Sequence, residues 1–156
     1  MAAIRPTAFY QDPMAALKWL EAAFGFELAM LLTDKDGRLA HSELSWRGDA
    51  ISIGREWSSH ELLGGAGLKS PASVGGVGTQ FVHVMLEEGI DEHCERARAA
   101  GARITQEPET QFYGDRTYRA LDLEGHVWNF SQRVREPSVA EMEEASGLTF
   151  RTRAVA

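Results

Sequence analysis

The side chains best suited to metal or acid–base chemistry are scattered along the chain. His83 lies two positions after Phe81, so both side chains are expected on one face of a strand. His41 and Glu43 share a face of another predicted strand. Imidazole and carboxylate groups can bind a divalent metal and leave positions open for substrate. No pair has the spacing of a compact ligand motif, which favours a hydrogen-bonding role for His83. His41 and Glu43 either form a polar strand face or line a cleft.

Other catalytic arrangements find less support. Cys94 is the only cysteine, and its predicted helix places it between acidic neighbours that give a thiolate no stabilisation, so a core position is predicted. His126 follows a turn glycine and is expected to support the turn or face solvent. The sequence contains no Gly-x-Ser-x-Gly elbow. The glycines of residues 64–78 lack the Lys and Ser/Thr of a phosphate-binding loop, which indicates a linker.

Length, charge and composition narrow the class of protein. The 156 residues fit one domain, and 44% hydrophobic content is enough to form a core. A net charge of -7 argues against nucleic-acid binding, which depends on basic clusters. No apolar run reaches the length of a membrane span, and residues 1–6 lack the pattern of a signal peptide. We therefore expect no membrane partner. A single cysteine cannot form a disulfide within the chain, so a cytoplasmic location is expected.

An internal repeat provides the elements that position these side chains. Residues 48–54 line up with residues 125–131, about 77 positions later, as a glycine turn followed by an alternating strand. Asp12 and Pro13 open a predicted helix that closes at Gly25, and Asp91 opens another that closes at Gly101. Each helix follows a strand-like run, at residues 4–10 and 79–86. The sequence therefore predicts two copies of a strand-helix-strand-strand-strand unit, with a cleft between them.

The remaining segments complete this organisation. Further strands are predicted at 26–34, 39–46, 50–57, 103–112, 115–121 and 126–132, and Pro108 makes 103–112 an edge or bulged strand. The domain is expected to span 1–134, with module 1 at about 4–57, a linker at 58–78 and module 2 at 79–132. Residues 135–156 form an extension, in which Ser138 and Glu141 predict a capping box and Gly147 the end of a short helix.

This two-copy layout resembles a known superfamily. The layout, together with residues 113–116 (Tyr-Gly-Asp-Arg) and 122–128 (Asp-Leu-Glu-Gly-His-Val-Trp), is similar to the vicinal oxygen chelate superfamily, which contains glyoxalase I, bleomycin-resistance proteins and extradiol dioxygenases. The resemblance implies an α+β fold of two tandem βαβββ modules that form a curved mixed sheet around a cleft. It also implies a homodimer, which exposed sheet edges would favour.

The resemblance also implies where a metal would be held. Enzymes of the superfamily usually bind a divalent metal through His, Glu or Gln on the first and last strands of each module. The corresponding positions are Arg5 and Phe81, and Ser52 and Asn129, and the internal repeat pairs the same residues. None is a usual ligand, and Arg5 would repel a cation. We therefore expect no metal and no cofactor, although His83, His41, Glu43 or His126 leave a rebuilt site open.

The favoured function is binding rather than catalysis. We expect a small, aromatic or anionic molecule to bind in a dimeric cleft, with Phe81 and Tyr113 as flat walls. Arg5 pairs either with an anionic ligand or with Glu43. The full set of expected cleft residues is Arg5, Glu43, Ser52, Phe81, His83, Tyr113 and Asn129. Two alternatives remain: a metal-dependent enzyme, such as a glyoxalase-like lyase or dioxygenase with a relocated site, and a non-catalytic regulatory or interaction domain that uses the acidic helix at 138–146.

Overall fold

A computed structural model describes residues 4–151 of the chain. The first module consists of β1 (Thr7–Tyr10), α1 (Pro13–Phe24), β2 (Glu27–Thr33), β3 (Leu39–Trp46) and β4 (Asp49–Arg55). The second consists of β5 (Phe81–Leu86), α2 (Ile90–Ala99), β6 (Arg103–Thr110), β7 (Asp115–Leu121) and β8 (Val127–Arg133). Two short 3-10 turns, Glu61–Leu63 and Pro71–Ser73, lie in the linker, and α3 (Val139–Ser146) follows the second module. The predicted domain limits at residues 1–3 and 152–156 lie outside the described residues.

Each module forms its own four-stranded mixed sheet. The strand orders are β1-β4-β3-β2 and β5-β8-β7-β6. In each module the first and last strands pair in parallel, and the other neighbours pair antiparallel. This confirms the α+β fold and the two βαβββ modules. The strands divide into two four-stranded sheets, and no ladder joins them within residues 4–151. On the outer edge of β1, the Phe9 carbonyl accepts a hydrogen bond from His126 Nε2 at 2.7 Å.

The ends of α1 follow the sequence prediction. The Asp12 side chain accepts a hydrogen bond from the Ala15 amide at 3.0 Å, and Pro13 occupies the first turn. Gly25 ends the helix in the left-handed conformation, with φ of 78°. A side chain there would also collide with Arg96, whose guanidinium donates to the carbonyls of Ala22 and Glu21 at the helix end. This glycine therefore serves both the helix end and the contact between modules.

The start of α2 differs from the prediction by one residue. The helix begins at Ile90, whose amide donates to the Gln132 side chain at 3.0 Å, and Gly89 precedes it without a side-chain cap. Asp91 does not cap the helix. Its carboxylate pairs with both Nε and a terminal nitrogen of Arg116, at distances of 2.7–3.2 Å. The Asp91 carboxylate therefore links α2 to β7 and does not cap its own helix.

The two modules share one core, built from the helices and the sheet faces that they cover. The ring of Phe24 lies 5.3 Å from that of Trp128 and 4.7 Å from that of Phe130, which joins α1 to β8. Buried Asp122 accepts hydrogen bonds from Tyr10 Oη at 2.6 Å and Trp128 Nε1 at 2.9 Å. This core occupies the helix-side face of each sheet, so the opposite face of each sheet is free of it.

The C-terminal extension begins on the turn between β6 and β7. The amides of Val134 and Arg135 both donate to the Gly114 carbonyl, at 3.0 and 3.1 Å. The Ser138–Glu141 capping box is present, and Gly147 ends α3, as the sequence predicted. Among residues 4–151, no helix has the length and apolar character to cross a membrane.

Candidate ligand-binding site

The strand register places the four family positions on matching parts of the two sheets. Ser52 on β4 pairs with Thr7, and Asn129 on β8 pairs with His83. Arg5 and Phe81 each precede these partners by two residues. Ser52 and Asn129 thus occupy equivalent sites in the two modules, as the repeat indicated. In each module they lie on the sheet face that is turned away from the shared core.

On the first module this face carries a neutralised cation. Arg5 Nη1 forms an ion pair with Glu43, whose carboxylate also lies 3.2 Å from His41 Nε2. Glu43 pairs across the strands with Ser52, so the three polar groups lie next to a buried hydroxyl. The Arg5–Glu43 pair that the sequence left as an alternative is therefore formed. With its charge compensated, Arg5 is a weaker anchor for an anion than its sequence position suggested.

On the second module this face carries a hydrogen-bonded row of side chains. Arg119 Nε donates to Asn129 Oδ1 at 3.0 Å, and Asn129 Nδ2 donates to Ser131 Oγ at 3.2 Å. Ser131 Oγ lies 2.8 Å from His83 Nε2. Apart from Asn129 and His83, the fully buried Ser131 hydroxyl has no partner among the described residues, so its O–H donates a hydrogen bond to His83 Nε2. In that arrangement the ring hydrogen of neutral His83 is on Nδ1, which can donate a hydrogen bond.

Arg119 distinguishes the second face from the first. No carboxylate lies within ion-pair distance of its guanidinium in residues 4–151, whereas Arg5 is paired. Its partner Asn129 is neutral, so the positive charge is held in place without being compensated. The sequence prediction missed this residue. The signal was present, because the turn at 122–125 sets Leu121 opposite Val127 and therefore Arg119 opposite Asn129.

Apolar side chains lie beside the polar row. Phe81, His83 and Met85 project from the same face of β5, since the alternate residues Val84 and Leu86 are buried in the core. Phe81 is 56% exposed and Met85 is 45% exposed. The second-module face is therefore defined by Phe81, His83, Met85, Arg119, Asn129 and Ser131. It combines a flat apolar surface with a fixed cation and a ring donor.

Tyr113 does not lie near Phe81. Phe81 pairs with Val127, the first residue of β8, whereas Tyr113 precedes Asp115, which pairs with Arg133 at the other end of β8. Six residues of strand separate these ends by about 20 Å. The ring of Tyr113 packs edge-on against Phe112 instead, with centroids 5.1 Å apart. The structure thus places the two expected aromatic walls at opposite ends of the sheet.

Two of the remaining histidines, His93 and His126, and the cysteine have structural contacts. His126 lies over Tyr10, with ring centroids 4.5 Å apart, and joins the modules through the Phe9 carbonyl. His93 binds the Phe24 carbonyl through Nε2 and the Tyr118 hydroxyl through Nδ1, and burial lowers its pKa. Cys94 is fully buried, and burial raises its pKa to about 11. In the described part of the chain, no three His, Cys, Asp or Glu side chains converge as a metal site.

A separate pocket lies beside the edge of β1. It has a volume of about 770 Å³ and is bounded by residues 6–9, 67–69, 71, 74, 77–80 and 126. Its side chains are mainly apolar, with Lys69 and His126 as the basic groups. None of the seven residues predicted for the cleft lines it. This β1-edge pocket is therefore an alternative ligand site, and experiments have to distinguish it from the second-module face.

Comparisons with known proteins agree with this architecture. The family model described as Glyoxalase/Bleomycin resistance protein/Dioxygenase superfamily matches residues 4–130. An uncharacterized protein of Mycobacterium bovis is 28% identical over 143 residues, which cover 92% of this chain and 91% of the relative. An uncharacterized protein of Mycobacterium tuberculosis is also 28% identical, over 92% of this chain and 81% of its own length.

Solved structures give the same result. The crystal structure of TioX from Micromonospora sp. ML1 is 30% identical and aligns with a TM-score of 0.61, covering 86% of this chain and all of that one. A hypothetical protein from S. aureus aligns with a TM-score of 0.62 at 15% identity, over 85% of this chain and 94% of that chain. The second likeness concerns the fold alone.

Proposed function

Since the chain belongs to the Glyoxalase/Bleomycin resistance protein/Dioxygenase superfamily, we propose that it binds a small aromatic or anionic molecule on its second-module face. The observation that carries this proposal is the row from Arg119 through Asn129 and Ser131 to His83, beside exposed Phe81. A few fixed polar groups next to apolar surface are what small-molecule sites require. The row lies on the sheet face opposite the shared core, beside exposed Phe81 and Met85.

A second copy of the chain would complete the site. β2 is an edge strand whose Leu28, Met30, Leu31 and Leu32 are all between 39% and 48% exposed. An exposed apolar edge strand favours pairing with another chain, and contiguous exposed apolar side chains are typical of interaction surfaces. Phe81 and Met85 are exposed on the second module in the same way. We therefore propose a homodimer whose contact covers the open faces and encloses the ligand.

The residues of the face favour binding over metal-dependent catalysis. The four family positions hold Arg5, Ser52, Phe81 and Asn129, none of which is a usual ligand. The guanidinium of Arg119, hydrogen-bonded to Asn129, would also repel a cation placed at that position. Ser131 is fully buried and engaged on both sides, so its hydroxyl is a structural group rather than a nucleophile.

A ligand screen by thermal denaturation tests the proposal. The panel contains aromatic acids, neutral planar aromatic compounds, aromatic antibiotics and aliphatic phosphates. A ligand at 100 times its Kd adds about 2.7 kcal/mol to the free energy of unfolding. For a chain of this size that raises Tm by roughly 5–11 °C. Metal analysis of protein purified without chelator runs in parallel, since near-stoichiometric Mn, Fe, Ni or Zn that is lost in His83→Ala would support the enzyme alternative instead.

Three variants locate the binding. Phe81→Ala removes the apolar surface of the second-module face and is expected to abolish most of the stabilisation by ligand. Leu62→Ala, at an 81% exposed leucine in the linker, is the matched control and should leave it unchanged. Val77→Ala removes apolar surface from the β1-edge pocket. Loss of stabilisation in the Val77 variant alone would place the ligand in that pocket. Stabilisation by no ligand class would favour an interaction domain.

A further inference from the structure

We propose that Arg119 is the anchor for a carboxylate on the ligand, so that the natural ligand is an aromatic acid; this inference rests on the proposed function. Arg119 uses Nε to bind Asn129 Oδ1, and its two terminal nitrogens have no hydrogen-bond partner among the described residues. Those nitrogens form the end of the guanidinium that binds a carboxylate with two parallel hydrogen bonds. The charge is therefore oriented and available.

Asn129 is a positioning residue for this anchor. Its side chain is 5% exposed, and Nδ2 is held by Ser131 Oγ, which fixes Oδ1 towards Arg119. An aspartate at this position would neutralise the guanidinium, as Glu43 neutralises Arg5 on the first module. An amide holds the guanidinium without removing its charge. This difference between equivalent faces makes the second module the one that attracts an anion, in a chain whose net charge is -7.

The register of the strands sets the shape of the ligand. His83, Asn129 and Arg119 are direct cross-strand partners on three adjacent strands, β5, β8 and β7. Adjacent strands lie about 4.8 Å apart, so the Cα atoms of His83 and Arg119 are separated by roughly 10 Å. Phe81 lies two residues along β5 from His83, on the same face. A planar ring on Phe81, a carboxylate at Arg119 and an acceptor facing His83 Nδ1 fit one molecule.

A pair of isosteric probes separates charge recognition from recognition of the ring. The probes are 2-naphthylacetate and its primary amide, 2-naphthylacetamide, titrated into wild-type protein by calorimetry at low salt. We expect the carboxylate to bind at least tenfold more tightly than the amide. In Arg119→Gln the two probes should bind with equal affinity, close to that of the amide for the wild type. Arg119→Lys, which keeps the charge without the planar fork, should retain part of the preference.

Two further variants complete the design. Arg55→Gln removes an exposed arginine from the end of β4, on the first module, and should leave the preference for the carboxylate intact. Asn129→Ala should reduce the preference without changing the affinity for the amide, because the charge remains but is no longer oriented. Circular dichroism and Tm of each variant confirm that it is folded.

The outcomes distinguish this inference from the function on which it rests. Equal binding of both probes to the wild type overturns the carboxylate anchor but leaves a neutral aromatic ligand possible. A preference that persists in Arg119→Gln also overturns it, since another cation would then be the anchor. Binding of neither probe overturns the assignment of an aromatic acid, whereas the wider screen decides separately whether the chain binds small molecules.

Discussion

Removing the carboxylate of Asp122 is expected to destabilise the whole chain, because this buried side chain is one of the contacts that join the two modules. Oδ2 accepts hydrogen bonds from Tyr10 Oη at 2.6 Å and Trp128 Nε1 at 2.9 Å. Oδ1 accepts from the amides of Glu124 and His126, both at 3.0 Å, and so holds the turn before β8. Tyr10 and Trp128 are fully buried, so neither can turn to water if the carboxylate is lost.

The size of this destabilisation follows from the two buried side-chain donors, Tyr10 and Trp128, that would lose their acceptor. Leaving a buried donor without a partner costs about 1–3 kcal/mol, so Asp122→Ala should lower the free energy of unfolding by roughly 2–6 kcal/mol. The total free energy of unfolding of a native protein is about 5–15 kcal/mol, so this loss would be a large fraction of it. Asp122→Asn should cost less than Asp122→Ala, because its one carbonyl oxygen can still accept from the Tyr10 and Trp128 side chains. It should still destabilise the chain, since the NH2 group then faces the amides of Glu124 and His126, which are donors themselves.

Urea denaturation followed by tryptophan fluorescence measures the effect. Asp36→Ala is the matched control, because Asp36 is exposed on the β2–β3 turn and its ion pair with Arg38 is a surface contact. Such pairs contribute about 0–1 kcal/mol. A loss below about 1 kcal/mol in Asp122→Ala, equal to that of Asp36→Ala, would refute the view that this carboxylate joins the modules.

Three other predictions concern the core, the extension and the dimer. Burial lowers the pKa of His93 in the folded chain. The stability that neutral His93 contributes is therefore complete above the ordinary histidine pKa of about 6.5, and it is lost as the pH falls through the lowered pKa. His93→Gln should flatten the decline of Tm below pH 6.5, and an unchanged decline would contradict this reasoning. Gly114→Ala should lower Tm more than Gly37→Ala. Both glycines have positive φ, but a Cβ at Gly114 would collide with the Arg135 carbonyl, whereas a Cβ at Gly37 would meet nothing within 4 Å. Equal losses of Tm would contradict that reason. Leu32→Glu should convert a dimer into a folded monomer in light scattering, and a wild-type chain that is already monomeric would contradict the proposed contact.

The repeat is visible in the sequence itself, and the ends of α1 were predictable because they depend on local sequence. Asp12, Pro13 and Gly25 carry the physical signals of a helix start and end within their own backbone conformations. The turn at 122–125 was equally clear. Counting outward from this turn places Arg119 opposite Asn129, so the residue proposed as the anchor could have been found from the sequence.

Other features depend on tertiary contacts that the sequence does not reveal. The sequence predicts Asp91 at the start of a helix, but in the structure its carboxylate forms an ion pair with Arg116 on β7. His126 joins the modules through the Phe9 carbonyl, a contact across 117 positions of chain. Tyr113 and Phe81 both lie at sheet ends, and only the strand register shows that these are opposite ends.

Binding of a small molecule to the second-module face can be located by an NMR titration with the most stabilising ligand of the screen. In ¹H–¹⁵N spectra, we expect the largest shifts on the backbone amides of His83, Arg119 and Asn129 and on the Asn129 side-chain amide. Shifts confined to Leu68, Val77 and the other residues of the β1-edge pocket would contradict it.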